Sequence, residues 1–257
     1  MCTWMEGYAF GEVYDWVELY AGRALATQAV RLKGQRGARL DILYAEKGNH
    51  KSNYMDINSP SGLALCIITI LQCKRSFLAW VAIKCSSWSS MNVGTSSRFA
   101  CSSVGNILMP SVVEANQMLE RTCLLLLLIT SVGGCWCLEQ PGGSVLQFYP
   151  SFRYVITMHA MNAGVSSVAR TSWWMALYGS VTPKRHYCYS NSMSVSQLDR
   201  GVLSGWKTRP ENATTKRTVC KTTGKKGYTA TRNLRPTEHP DLLLRFLINS
   251  FAVPPSN

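Results

Sequence analysis

Two side chains with reactive groups stand where chemistry is commonly done. Phe77-Leu78-Ala79-Trp80-Val81-Ala82-Ile83 is a near-continuous apolar run of the kind that forms a buried central strand, and Cys85 follows it at once. The thiol lies among Ser86, Ser87 and Ser89, with Lys84 beside it. A neighbouring cation lowers a thiol pKa and raises the fraction present as nucleophilic thiolate. The other reading of Cys85 is a loop cysteine without a role. Glu139 stands at the end of a second apolar stretch, Cys135-Trp136-Cys137-Leu138, which runs into an irregular loop, Glu139-Gln140-Pro141-Gly142-Gly143-Ser144. A carboxyl there can protonate a ring nitrogen or cap a helix. His50, His159, His186 and His239 show neither triad nor ligand spacing, and Cys135-x-Cys137 lacks the companions of a zinc site, so no metal is expected.

A binding element lies nearer the start. Trp16, Val17 and Leu19 are strand formers, and Tyr20-Ala21-Gly22 reads as a tight turn. Gly22 permits positive φ or close approach of a ligand to the backbone. A helix then runs through Ala24, Leu25, Ala26, Ala29 and Val30, and its first N–H groups face the turn, ready for an anion or an acceptor atom. Open α/β sheets hold nucleotides in this way at the carboxyl ends of their strands. About twenty residues on, Ala38-Arg39-Leu40-Asp41-Ile42-Leu43 forms a second apolar run, a strand over 38–44, with an acid inside it. Asp41 reads equally as an acceptor of ribose hydroxyls or as a loop and cap residue. Asp56, in Tyr54-Met55-Asp56-Ile57-Asn58, puts another acid at the start of the next unit.

The elements that must position these groups alternate in type. Ser59-Pro60 marks the start of a helix over 62–72. A long Ser, Gly and Asn loop from Lys84 to about Asn106 has the length of a lid or of a disordered segment. Val112 to Ile129 is the longest helical pattern, and Phe152 to Ala163 and Ser166 to Tyr178 suggest two more helices. His186 to Tyr189 is a late strand. The stretch 122–138 is short and interrupted for a membrane span and is expected as a buried helix, a Gly-Gly turn and a strand, with a single membrane span as the alternative. The fold expected is α/β, doubly wound and Rossmann-like. A lead-in over 1–15 precedes the α/β domain at 16–190. A basic, partly disordered linker or tail follows over 191–240, and a short helix and tail over 241–257.

The 257 residues carry a net charge of +13, unevenly placed. Arg200 to Arg235 holds ten Lys and Arg against the single acid Glu211. Lys216, Arg217, Lys221, Lys225 and Lys226 are the candidates for phosphate contacts to DNA or RNA, a sequence-independent and salt-sensitive attraction. The same run also reads as a solvated tail. The first residues include Glu6, Glu12 and Asp15 and form no apolar core of a signal peptide. Ten cysteines without a regular framework are expected as reduced thiols in an intracellular protein, nuclear or cytoplasmic.

In order, these segments resemble the blocks of the S-adenosylmethionine-dependent DNA (cytosine-5) methyltransferase family, over about residues 16–190. Val17 to Gly22 resembles its cofactor block, so the resemblance implies cofactor contacts from Glu18, Tyr20, Ala21 and Gly22. It implies ribose binding by Asp41 and an adenine contact by Asp56. Ala82-Ile83-Lys84-Cys85-Ser86-Ser87 is similar to the Pro-Cys nucleophile loop, and Leu138-Glu139-Gln140-Pro141 to the Glu-Asn-Val block. Tyr178 to Ser190 loosely resembles the block that carries two arginines, with Arg185 matching one of them. In that family the cysteine attacks C6 of cytosine, the glutamate contacts N3, methyl passes to C5, and the base is flipped out of the duplex. The chain departs from the pattern at Ala24 in place of glycine, Lys84 in place of proline, Gln140 in place of asparagine, and Lys184 and His186 around Arg185. Two functions therefore stand: a divergent methyltransferase acting on nucleic acid, or an inactive relative that binds nucleic acid or a protein partner through its basic region.

Overall fold

The computed structural model describes residues 10–44, 54–180, 182–205, 215–219, 224 and 226–230. β1 (Tyr14–Leu19), α1 (Leu25–Leu32) and β2 (Gly37–Leu40) come first. α2 (Pro60–Leu71) and β3 (Cys73–Val81) follow, then a short helix α3 (Val93–Ser96) and the long α4 (Pro110–Ser131). The domain continues with β4 (Cys135–Pro141), α5 (Pro150–Ala163), β5 (Ala169–Trp174) and β6 (Arg185–Ser190). A separate antiparallel pair, β7 (Thr215–Val219) and β8 (Lys226–Ala230), carries Lys216, Arg217 and Lys226. Lys221, Lys225, the polar connection at 46–53 and the expected terminal helix over 241–257 lie outside the described residues.

The architecture is α/β, with one mixed sheet of six strands in the order β2-β1-β3-β4-β6-β5. β2, β1, β3 and β4 run parallel; β6 is antiparallel to β4, and β5 to β6. Alternation along the strands sends side chains to two cores. Val17, Leu19, Ala79, Val81, Trp136 and Leu138 pack with α2, α4 and α5. Trp16, Leu78, Trp80 and Cys137 pack on the other face with Ala26 and Val30 of α1 and with Met175, Tyr178, Val195 and Leu198. The packed unit thus extends beyond Ser190, and the Tyr178 hydroxyl donates to the carbonyl of Leu198 at 2.8 Å.

Three local expectations are corrected. The strand expected over 38–44 stops at Leu40, and Ile42–Tyr44 is a 3-10 turn because the Asp41 carboxylate accepts the Leu43 N–H at 2.9 Å. The helix expected over 166–178 is strand β5 followed by a 3-10 turn, Met175–Tyr178. Thr171 and Trp173 point inward with neighbours turned out, a period of two that suits β-branched and aromatic residues. β4 runs through Glu139 and Gln140 to Pro141, so both polar residues belong to the strand and not to a loop. Glu114, Glu120 and Arg121 lie within α4, and among the described residues no helix is long and apolar enough to cross a membrane.

The long loop after β3 is ordered by one residue. Arg98 is 1% exposed, and its guanidinium stacks 3.6 Å from the ring centre of buried Trp88. Its Nε donates to the Ser87 hydroxyl, Nη1 to the carbonyls of Ser103 and Val104, and Nη2 to the Val112 carbonyl and Asn116 Oδ1. All five donors of the guanidinium are thereby used, and burial without a carboxylate lowers its pKa to about 10. The stretch expected as a lid or disordered segment is instead pinned to α4. Arg98→Met should destabilise the fold by about 2–4 kcal/mol, since five acceptors lose their donor. Limited proteolysis should then cut first within 86–106; a melting temperature and cleavage pattern equal to wild type would refute this role.

Candidate functional site

The strand order reverses direction between β1 and β3, and their carboxyl ends are level, with Leu19 opposite both Leu40 and Val81. In open α/β sheets such a switch point leaves a crevice in which ligands bind. A cavity of about 800 Å³ lies there, lined by Tyr20, Asp41, Met55, Asp56, Lys84 and Glu114 among others. Three of the six expected cofactor residues, Tyr20, Asp41 and Asp56, therefore meet at one cavity.

Each is held by identifiable neighbours. Asp41 accepts the N–H of Gly22 through Oδ2 at 2.8 Å and that of Leu43 through Oδ1. It is both a turn-forming residue and a wall of the cavity. Gly22 takes a positive φ of 52°, and the Tyr44 hydroxyl donates to its carbonyl. Tyr20 is turned back onto α4, its hydroxyl 2.7 Å from that of Thr122, and burial pushes its phenol far above the usual range. Asp56 accepts the Asn58 N–H, and Arg121 of α4 donates to the carbonyls of Ile57 and Ser59. Gly62 in the first turn of α2 lets this segment approach: a Cβ there would lie 1.9 Å from the Asp56 carbonyl oxygen. Arg121 and Gly62 escaped sequence reasoning, although a glycine three residues after the Ser59 cap was a visible signal.

Glu18 is placed differently from the expectation. It points to the other face of β1, 4% exposed, and its carboxylate accepts both the N–H and the hydroxyl of Thr27. The first turn of α1 thus receives its acceptor from within the chain. Burial, opposed by the two Thr27 bonds, raises the Glu18 pKa. Ala21 is buried beside the turn, and Ala24, where the resemblance leads one to expect glycine, sits at a left-handed φ of 52°.

Cys85 and Glu139 are brought together by their flanking loops. Val145 donates its N–H to the carbonyl of Trp88, and Ser90 to that of Gly143, so the segments after β3 and β4 are laced side by side. Gln140, fully buried, completes the tie: its Nε2 donates to the Ile83 carbonyl at 2.7 Å and its Oε1 accepts the Ser144 hydroxyl. Burial first, and then the Glu139 carboxylate, push the Cys85 thiol above its ordinary range. This reverses the expectation of a lowered pKa. Lys84, named for that task, has its ammonium 3.7 Å from Glu114 at the cavity mouth. The cation that acts on the thiol is Lys184, whose own pKa burial lowers. Arg185 does not join them: its guanidinium lies 5.5 Å from the ring centre of Trp174. His186 takes that place and is paired through Nδ1 with Glu139 Oε1.

The arrangement predicts how the thiol titrates. Alkylation of Cys85 by iodoacetamide, followed against pH by peptide mass spectrometry, should have a midpoint above the ordinary value of about 8.5. Glu139→Gln removes a negative charge that opposes the thiolate and should lower the midpoint, whereas Lys184→Met should raise it. An unmoved midpoint in Glu139→Gln would place the carboxylate away from the thiol. No family model, curated protein or solved structure matches the chain.

Proposed function

We propose that the chain is a divergent S-adenosylmethionine-dependent methyltransferase of the Rossmann-like type that acts on nucleic acid at cytosine C5. The observation that carries this reading is the cavity at the switch point, walled by Tyr20, Asp41 and Asp56, with Lys84, the residue before Cys85, in its lining. Its size falls within the roughly 300–1,000 Å³ of small-molecule sites. Its charged wall holds Asp41, Asp56 and Glu114 against Lys84. Acidic and otherwise largely apolar surroundings suit a cationic ligand with ribose hydroxyls and a flat base. A dinucleotide fits less well, because its phosphates need the start of α1, where Thr27 already donates to Glu18. S-adenosylmethionine, when bound, supplies a methyl group carried on a sulfonium.

The residues of the chain would then divide the work. Asp41 and Asp56 accept ribose and base donors, and Lys84 with Glu114 closes the mouth. Cys85 adds to the target ring as thiolate. Glu139 opposes that ionisation while it is charged, so a proton on its carboxyl, facing a ring nitrogen, both engages the base and favours the nucleophile. Engagement of the base and activation of the thiol therefore reinforce each other.

Calorimetric titration with S-adenosylmethionine should give micromolar binding, about −8 kcal/mol. Asp41→Ala and Asp56→Ala should each weaken it at least roughly tenfold, one lost charged hydrogen bond being worth about 1.5–3 kcal/mol. Methyl incorporation into DNA or RNA should vanish in Cys85→Ser. Absence of binding by a folded wild-type chain, or equal incorporation by Cys85→Ser, would overturn the reading.

A second reading is favoured by the elevated Cys85 pKa: a catalytically silent relative that binds nucleic acid or a protein partner through its basic region. Here β7 and β8, with Lys216, Arg217 and Lys226, supply the phosphate contacts. Deleting 207–235 should weaken duplex DNA binding at least about tenfold and flatten its dependence on salt, which reports the number of neutralised phosphates. Unchanged anisotropy titrations over a salt series would remove that region from the function.

A further inference from the structure

From Gln140 to Leu198 the chain carries Arg153, Arg170, Lys184 and Arg185 and not one Asp or Glu. This segment builds α5 and the two antiparallel strands at one edge of the sheet, β6 and β5. Strand alternation sorts β5 by face. Thr171 and Trp173 are buried, whereas Arg170 is exposed and Ser172 and Trp174 are partly exposed. On β6 the residues in register with Arg170, Ser172 and Trp174 are Tyr189, Tyr187 and Arg185. Directly opposite residues share a face, so arginines and aromatic rings alternate along one stripe. Buried Tyr187 is its floor, with the Arg170 guanidinium 4.9 Å from that ring centre and 5.7 Å from that of Tyr189. At the other end Arg185 lies 5.5 Å from the ring centre of Trp174. Exposed Arg153 flanks the stripe from α5, next to Phe152, whose ring meets Tyr189 edge-on at 5.2 Å.

We propose that this stripe of β5 and β6 is a binding surface for single-stranded nucleic acid, with Arg170 and Arg185 holding phosphates and Trp174 stacking a base. The two arginines stand four positions apart along the strands, about 13 Å at the rise of a β-strand, and so reach two separate phosphates of one extended strand. A guanidinium laid over a ring keeps its N–H donors in its own plane, where phosphate oxygens can meet them. Among the described residues neither arginine is in an ion pair. The acids that bound the segment are occupied: Glu139 is buried and paired with His186, and Asp199 accepts the Gly201 N–H. An unpaired base offers the flat face that Trp174 can stack, which a duplex keeps stacked inside and an acidic peptide lacks. The stripe shares no residue with the lining of the switch-point cavity. Its binding is therefore independent of methyl transfer, and of the basic residues on β7 and β8.

The test is fluorescence anisotropy of the full chain over a salt series, with labelled oligothymidylate and oligouridylate of about 12 nucleotides. Arg170→Gln with Arg185→Gln should weaken binding at least about tenfold and reduce the slope of log K against log salt by about 1.4, two single-strand phosphates at about 0.7 each. Arg36→Gln with Arg75→Gln removes the same charge from exposed positions beside β2 and in β3, and should cost less than about threefold. Arg170→Lys with Arg185→Lys should keep the wild-type slope. An abasic strand of equal charge should bind the wild-type chain at least about fivefold more weakly, and Trp174→Leu should erase that difference. A loss confined to one of the two oligonucleotides would name DNA or RNA as the ligand and uphold the stripe. Equal losses in the two glutamine pairs, or an abasic strand held as tightly as oligothymidylate, would overturn the proposal. Duplex DNA that binds more tightly and loses as much in Arg170→Gln with Arg185→Gln would assign the stripe to a duplex instead. Polyglutamate that displaces the labelled strand as well as unlabelled strand does would assign it to an acidic protein.

Discussion

The pairing of Val17–Leu19 with Ala79–Val81 in the middle of the sheet is the constraint on which the other features depend. It makes β1 and β3 neighbours although α1, β2 and α2 separate them in the chain. The chain leaves β1 toward β2 on one side and builds β3 and β4 on the other. The connections diverge, and the carboxyl ends of the central strands are left uncovered. The turn at 20–24, the acids at 41 and 56 and the cysteine at 85 all lie just past those ends. A crevice at these strand ends is thus a consequence of strand order before any side chain is considered, and Asp41, Asp56 and Glu114 make its wall acidic.

Around that crevice the chain places buried polar groups, and the hydrogen bonds they make determine what the site can do. Glu18 receives the first turn of α1, Arg98 ties the loop after β3 to α4 with its five donors, and Gln140 joins the chain just past β3 to the loop after β4. Burying any of these alone would cost several kcal/mol, so each demands its partners and thereby fixes the segment that bears them. The same economy of partners acts on the thiol. Cys85 sits close enough to Glu139 for the carboxylate to oppose its ionisation, and Lys184 only partly offsets this.

Much of the fold was legible in the sequence because its signals are local. The apolar run over 77–83, the Ser59-Pro60 start and the Gly133-Gly134 turn after a buried helix each depend on a few adjacent residues. The strand at 169–174 was missed because its edge position leaves only Thr171 and Trp173 fully turned inward, too few to show a period of two. For the site, residues placed by motif order (Tyr20, Asp41, Asp56, Cys85 and Glu139) do gather at the strand ends. Two placements differ: Lys84, read by adjacency as the cation beside Cys85, pairs with Glu114, and Arg185, placed by motif order, points to Trp174.

The sequence by itself determined the alternation of elements, their hydrophobic faces and the order in which reactive residues leave the strand ends, since periodicity and turn chemistry act over a few residues. Which groups meet was decided by tertiary structure alone. His186 and Glu139 are 47 positions apart, Arg98 and Asn116 are 18, and Gly62 matters only because Asp56 folds against it. Electrostatic influence falls with distance through space and with exposure to water, and neither quantity is written in the order of residues. That is why the sequence located a cysteine beside a lysine, while the fold set that cysteine against a carboxylate.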